Sequence, residues 1–145
     1  MSTRTLVRDR IVGEFNAMRN AQSGRVNVFD TDTHWLLDTE TKRSATYCVV
    51  VTDEVRTAST LENDTYAMSG VVIIYAYDTT DTRAKLDLMI EDALDVLRLA
   101  FRALPGTIQR ALVESVQVSE GSTAEGDWTQ AVVRWSAVHE RAFVV

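Results

Sequence analysis

The sequence predicts an α+β domain, a mostly antiparallel sheet with two helices packed on one face, in the order α-β-β-β-α-β-β. Three observations carry that expectation. Residues 81–104 form a long amphipathic helical pattern between a plain start signal and a plain stop. Residues 45–52 and 68–77 are β-branched and aromatic runs, apolar in places on both alternating faces, as central strands are. The stretch from Trp128 alternates apolar and polar residues, as a half-buried strand does.

Length and composition agree. At 145 residues one domain spanning 1–145 can bury about 68–70% of its unfolded surface without metals or disulfides. Hydrophobic residues at 46% and charged residues at 25% are globular values.

The first element is a helix over roughly residues 3–20. Val7, Ile11, Phe15 and Met18 recur at steps of four, four and three, and Ser2 or Thr3 can cap it. Ser23-Gly24 ends it, and Val26 and Val28 then alternate with polar neighbours as a short strand. Residues 30–44 lose all periodicity but carry an apolar island, Trp35-Leu36-Leu37, in a segment long enough to suggest a function. Between the two central strands, residues 53–67 are polar and predict an extended hairpin or flap whose tip leaves the domain.

The long helix follows Asp78-Thr79-Thr80-Asp81 and stops at Pro105-Gly106. At 1.5 Å per residue it spans about 36 Å. Acids fill its first half and Arg98 and Arg102 its last turns, matching the helix dipole. Leu86, Ile90, Ala93, Leu97, Phe101 and Leu104 make the core stripe, while Leu88 and Leu99 fall on the other side, three turns apart, beyond Asp87, Glu91 and Asp95. After the helix come a strand around residues 112–119, a small-residue loop over 120–127, and the closing strand. In that strand Ala131, Val133, Trp135 and Ala137 share one face and Gln130, Arg134 and Ser136 the other, while residues 138–145 either continue it or form a tail.

Candidate chemistry is sparse. Asp30, Asp32 and His34 would share one face of an extended segment and could present three metal donors, but the segment is equally an ordinary turn and has no recognised ligand spacing, so no metal site is expected. Cys48 lies in a strand run and reads as a buried apolar thiol, and His139 as an exposed strand histidine. There is no nucleophile elbow, phosphate-cradling glycine loop or C-x-x-C pair. No catalytic residue, cofactor or metal is therefore assigned. Charges interrupt the first eight residues and no apolar stretch reaches membrane length, so a soluble, unexported protein is expected. A net charge of −6 and a pI near 4.9 oppose a function that grips nucleic acid. They suit a surface past which DNA slides.

The order as a whole resembles the tail terminator proteins of long-tailed bacteriophages. The likeness rests on the opening helix with Val7, Ile11 and Phe15, the polar hairpin region 53–67 and the strand 70–77. It continues through the Asp-Thr-Thr-Asp-capped helix ending Leu97-Arg98-Leu99-Ala100-Phe101 and the strand Ala131-Val132-Val133-Arg134-Trp135, and so covers nearly the full chain. The resemblance implies a structural virion protein without enzyme activity, made in the host cytoplasm and placed at the head-proximal end of the tail. It implies a hexameric ring that stops polymerisation of the tail tube protein on one face and meets a head completion or connector protein on the other. DNA would pass through without specific binding.

Ring assembly needs two different complementary patches on each subunit. Leu88, Leu99, Trp35, Leu36 and Leu37 are the candidates for that interface. The loops over 61–65 and 120–127, with Glu62, Asp64, Glu120, Glu125 and Asp127, are expected toward the bore or the tube-facing rim. Two alternatives remain: another head–tail completion or tail tube protein, and a small metal-dependent hydrolase built on Asp30, Asp32 and His34.

Overall fold

A computed structural model describes residues 3–21, 26–29, 45–77, 82–104, 108–123 and 126–142. Its elements follow the expected order: α1 (Thr3–Ala21), β1 (Val26–Phe29), β2 (Ala45–Ser59), β3 (Asn63–Tyr77), α2 (Thr82–Arg102), β4 (Ile108–Thr123) and β5 (Gly126–Ala142). The fold is α+β, with one five-stranded sheet in the order β1-β2-β3-β5-β4. β1 runs parallel to β2 and every other pair is antiparallel.

Both helices cover one face of the sheet, because each has an apolar stripe that only a sheet face can bury. Val7, Ile11 and Phe15 of α1 and Leu86, Ala93 and Leu97 of α2 are fully buried in one cluster. The sheet supplies Tyr47 and Val49, Met68, Val72 and Ile74, and Ala131, Val133, Trp135 and Ala137 to the same cluster. The alternation expected in β5 is therefore present. On the other face, Cys48 is buried against Tyr75, with Val50 and Ile73 packed beside them.

In the core, Gly70 stands opposite Trp135. A Cβ on Gly70 would run into the indole and come within 2.6 Å of the Val50 carbonyl oxygen. Only glycine leaves room there for a tryptophan to lie across the strand.

One expectation is narrowed and one changes. Residues 53–67 form the extended hairpin, with Leu61 exposed at its tip, and not a free flap, since β3 is paired to β2 on one side and to β5 on the other as far as Asn63 opposite Ala142. Val55, Thr57, Thr65 and Tyr66 are β formers, and their polar neighbours record exposure to water rather than a loop. Two register shifts in β2, between Val51 and Asp53 and between Arg56 and Ala58, each carry an extra threonine. Thr52 Oγ1 donates to the Ser69 carbonyl at 3.2 Å and Thr57 Oγ1 to the Thr65 carbonyl at 3.3 Å, so the bulged residues bond back across the ladder. Likewise, residues 120–127 are mostly strand: β4 reaches Thr123 and β5 begins at Gly126.

Candidate functional site

The surfaces that could act on a partner lie on α2, at the β2–β3 turn, and between α2 and β4. On α2 the sequence pattern separates the two sides of the helix as expected. Leu88 is 63% exposed and Leu99 54%, while Leu86 and Leu97 are fully buried. Two leucines three turns apart thus stand in solvent on one side of the helix, beside the exposed acids Glu91 and Asp95.

The β2–β3 turn is built by Thr60. Its amide donates to the Asn63 carbonyl at 2.8 Å, and its hydroxyl oxygen accepts from the amides of Glu62 at 3.3 Å and Asn63 at 3.0 Å. A threonine holding the two amides that follow it is a side-chain-made turn. It leaves Leu61 99% exposed at the tip, next to exposed Glu62.

Asp64 departs from the expectation of an exposed loop acid. It is already in β3, opposite Ser59 and Arg141, and it is buried with Oδ1 lacking a hydrogen-bond partner among the described residues. The tight turn ends at Asn63, so Asp64 falls on the helix-side face in phase with Met68 and Val72. Glu120 lies in exposed strand β4, where it pairs with Arg83 of α2 at 3.1 Å. Asp127 belongs to β5. Glu125 lies outside the described residues, as do Trp35, Leu36 and Leu37 and the Asp30, Asp32 and His34 set.

His139 is a second correction. It is 1% exposed, not on the surface, because it continues the inward phase of Ala137 and Trp135 in β5. Its Nε2 stands 3.1 Å from Glu54 Oε1 of β2, and its ring stacks on Tyr66 at 5.6 Å. A carboxylate oxygen only accepts, so the bond needs Nε2–H as its donor, and Nδ1 has no hydrogen-bond partner among the described residues. Cys48 lies on the opposite face of the sheet, so the two cannot form a nucleophile and base. Among the described residues no group of three or more His, Cys, Asp or Glu side chains could hold a metal. No helix among them is long and apolar enough to cross a membrane.

The third surface was not visible in the sequence. Leu94, Phe101, Ala111, Leu112 and Val113 line an open cleft of about 430 Å³ between α2 and β4, with Arg98 and Arg102 at its edge. Its strand side, Ala111 to Val113, lies between register shifts at Ile108/Arg110 and Val113/Ser115. Past the second shift Val116 and Val118 remain exposed. An apolar residue inside a turn was the one readable sign of the tip, and Leu61 carries it.

Compared with known proteins, the chain matches no family model and no curated protein.

Proposed function

We propose that this chain is a structural subunit of a phage tail, a tail terminator that forms a ring on the finished tube. In that role it stops further polymerisation of the tube protein and offers the opposite face to the head connector. The observation that carries this reading is the α-β-β-β-α-β-β order built as one sheet with both helices on one face, which leaves the outward side of α2 with Leu88 and Leu99 in solvent.

Other features support the same role. A ring made of identical subunits needs apolar patches that are useless within the subunit itself, and Leu61, Leu88 and Leu99 are such residues. A net charge of −6 suits a bore that DNA traverses. The protein works without catalysis or cofactor and resides in the virion, at the head-proximal end of the tail.

Electron microscopy of particles assembled without this protein tests the role. Overlong tails without heads are the expected result. Heads lacking any tail would assign the chain to the tube or to head completion, and normal virions would remove it from the tail altogether.

A further inference from the structure

We infer that the β2–β3 turn of one subunit docks into the α2–β4 cleft of the next, with Leu61 as the apolar anchor and Glu62 paired to Arg98 and Arg102. The contact rests on the ring proposed above and names the surfaces that would close it.

Each half is incomplete without the other. Leu61 is 99% exposed and is held outward by a turn that Thr60 fixes with four bonds to Glu62 and Asn63, so it is presented on a preorganised support. The cleft offers Leu94, Phe101, Ala111 and Val113 as apolar walls, and its volume of about 430 Å³ lies in the range in which small apolar sites enclose a ligand, about 300–1,000 Å³.

Charge complementarity selects the occupant. Arg98 and Arg102 are exposed at the cleft edge, and neither makes an ion pair with a described residue. Glu62, next to the anchor, is exposed and equally without an ion pair among the described residues. A leucine followed by a glutamate therefore meets an apolar cleft bordered by two guanidinium groups, which prefer carboxylates as paired acceptors.

Geometry selects a second copy rather than a contact within one chain. The turn joins β2 to β3 in the middle of the sheet, whereas the cleft lies against β4 at its edge. A knob and a cleft at different places on one subunit make a head-to-tail interface, the kind that builds a ring where its rotation closes. Leu88 and Leu99 do not line the cleft, so they are a second apolar patch beside this contact.

The test is self-association of the full chain by sedimentation at low salt, up to millimolar concentration, with circular dichroism to check that each variant is folded. The variants are Leu61→Asp, Glu62→Arg, Arg98→Glu/Arg102→Glu, and the triple reversal Glu62→Arg/Arg98→Glu/Arg102→Glu. Leu61→Asp should abolish association. Glu62→Arg and the arginine pair should each weaken it at least tenfold, added salt should weaken the wild type, and the triple reversal should restore most of the loss. A wild-type chain that stays monomeric throughout overturns the contact. So does association that ignores Leu61→Asp and Glu62→Arg, in which case loss on Leu88→Asp/Leu99→Asp would move the ring interface to α2. Either result leaves the terminator reading to be decided by the tail-length phenotype, so the two failures are separable.

Discussion

The helix-side face of the sheet changes character along its length. Under the helices, Val72, Ile74, Val133 and Trp135 are sealed in an apolar cluster with Leu86 and Leu97. Toward the β2–β3 turn the same strands turn inward Glu54, Tyr66, Asp64 and His139, a set held by one 3.1 Å bond and one ring stack. The two ends cost the fold different things. The apolar end is stabilised by packing that tolerates no added atom. Among the described residues Trp135 Nε1 is the unpartnered polar atom of the apolar cluster, whereas the polar end leaves both Nδ1 of His139 and Oδ1 of Asp64 without partners, so its contribution depends on one hydrogen bond remaining intact.

The largest effects should come from the apolar end. Trp135→Ala removes the biggest fully buried side chain and should cost about 3–5 kcal/mol. Gly70→Ala adds a single methyl against that indole and the Val50 carbonyl, and should still cost about 1–3 kcal/mol. Denaturant unfolding of both measures the difference. A Gly70→Ala chain as stable as the wild type would show that the indole can move, and that the end under the helices is loosely packed.

The polar end should give a smaller and differently shaped response. Glu54→Ala strands a buried imidazole and should cost about 1–3 kcal/mol, whereas Glu54→Leu combined with His139→Phe replaces both partners by apolar groups and should cost less than the single change. A double variant whose loss equals the sum of its singles would mean that Glu54 and His139 do not act as a pair.

These two ends were not equally legible in the sequence. The apolar end announces itself, because Val7, Ile11 and Phe15 keep a helical period and Ala131 to Ala137 keep a strand period that water enforces. His139 continues that second period, but a titratable side chain after Val138 and before Glu140 looks like surface, and its burial depends on Glu54, 85 residues away. The cleft beside α2 was hidden for another reason. Its walls come from two elements, Leu94 and Phe101 of α2 and Ala111 to Val113 of the edge strand β4, and no periodicity within either element reveals that the sheet order sets them side by side. Leu88 and Leu99 were readable because a single uninterrupted helix keeps its phase over three turns.

Tyr47, unlike Trp135 with its unpartnered Nε1, brings a hydrogen-bonded polar atom into the apolar end. Its hydroxyl donates to the Met89 carbonyl at 3.5 Å while the ring packs on Phe15 at 4.9 Å. Burial first, and then the Asp92 carboxylate, push the phenol well above its ordinary value of 10.0. Because the folded value is the raised one, this contribution is fully present below pH 10.0 and is lost as pH climbs past it, by up to about 1.4 kcal/mol per pH unit. Tyr47→Phe should cost about 0.5–1.5 kcal/mol at neutral pH and flatten the alkaline decline. An equally steep decline in the variant would trace the effect to other groups.

The smallest effect on the folded subunit should come from the side of α2 that neither end of the sheet uses. Replacing Leu88 and Leu99 by Asp puts charges where water already reaches, at 63% and 54% exposure, so unfolding should shift by no more than about 0.5 kcal/mol. If the chain assembles into the tail proposed above through these leucines, the same two charges would enter an apolar contact and lose their hydration without a partner, a cost large enough to prevent docking. Stability is measured by denaturant unfolding and assembly by incorporation of the variant into tails. Full incorporation of a folded double variant would leave these leucines as incidental exposure. Loss of folding would place them in the subunit's own core, against the burial of Leu86 and Leu97 on the opposite side of the helix. Only a folded chain excluded from tails agrees with a helix whose two apolar sides serve two different interiors, one within the subunit and one between neighbours.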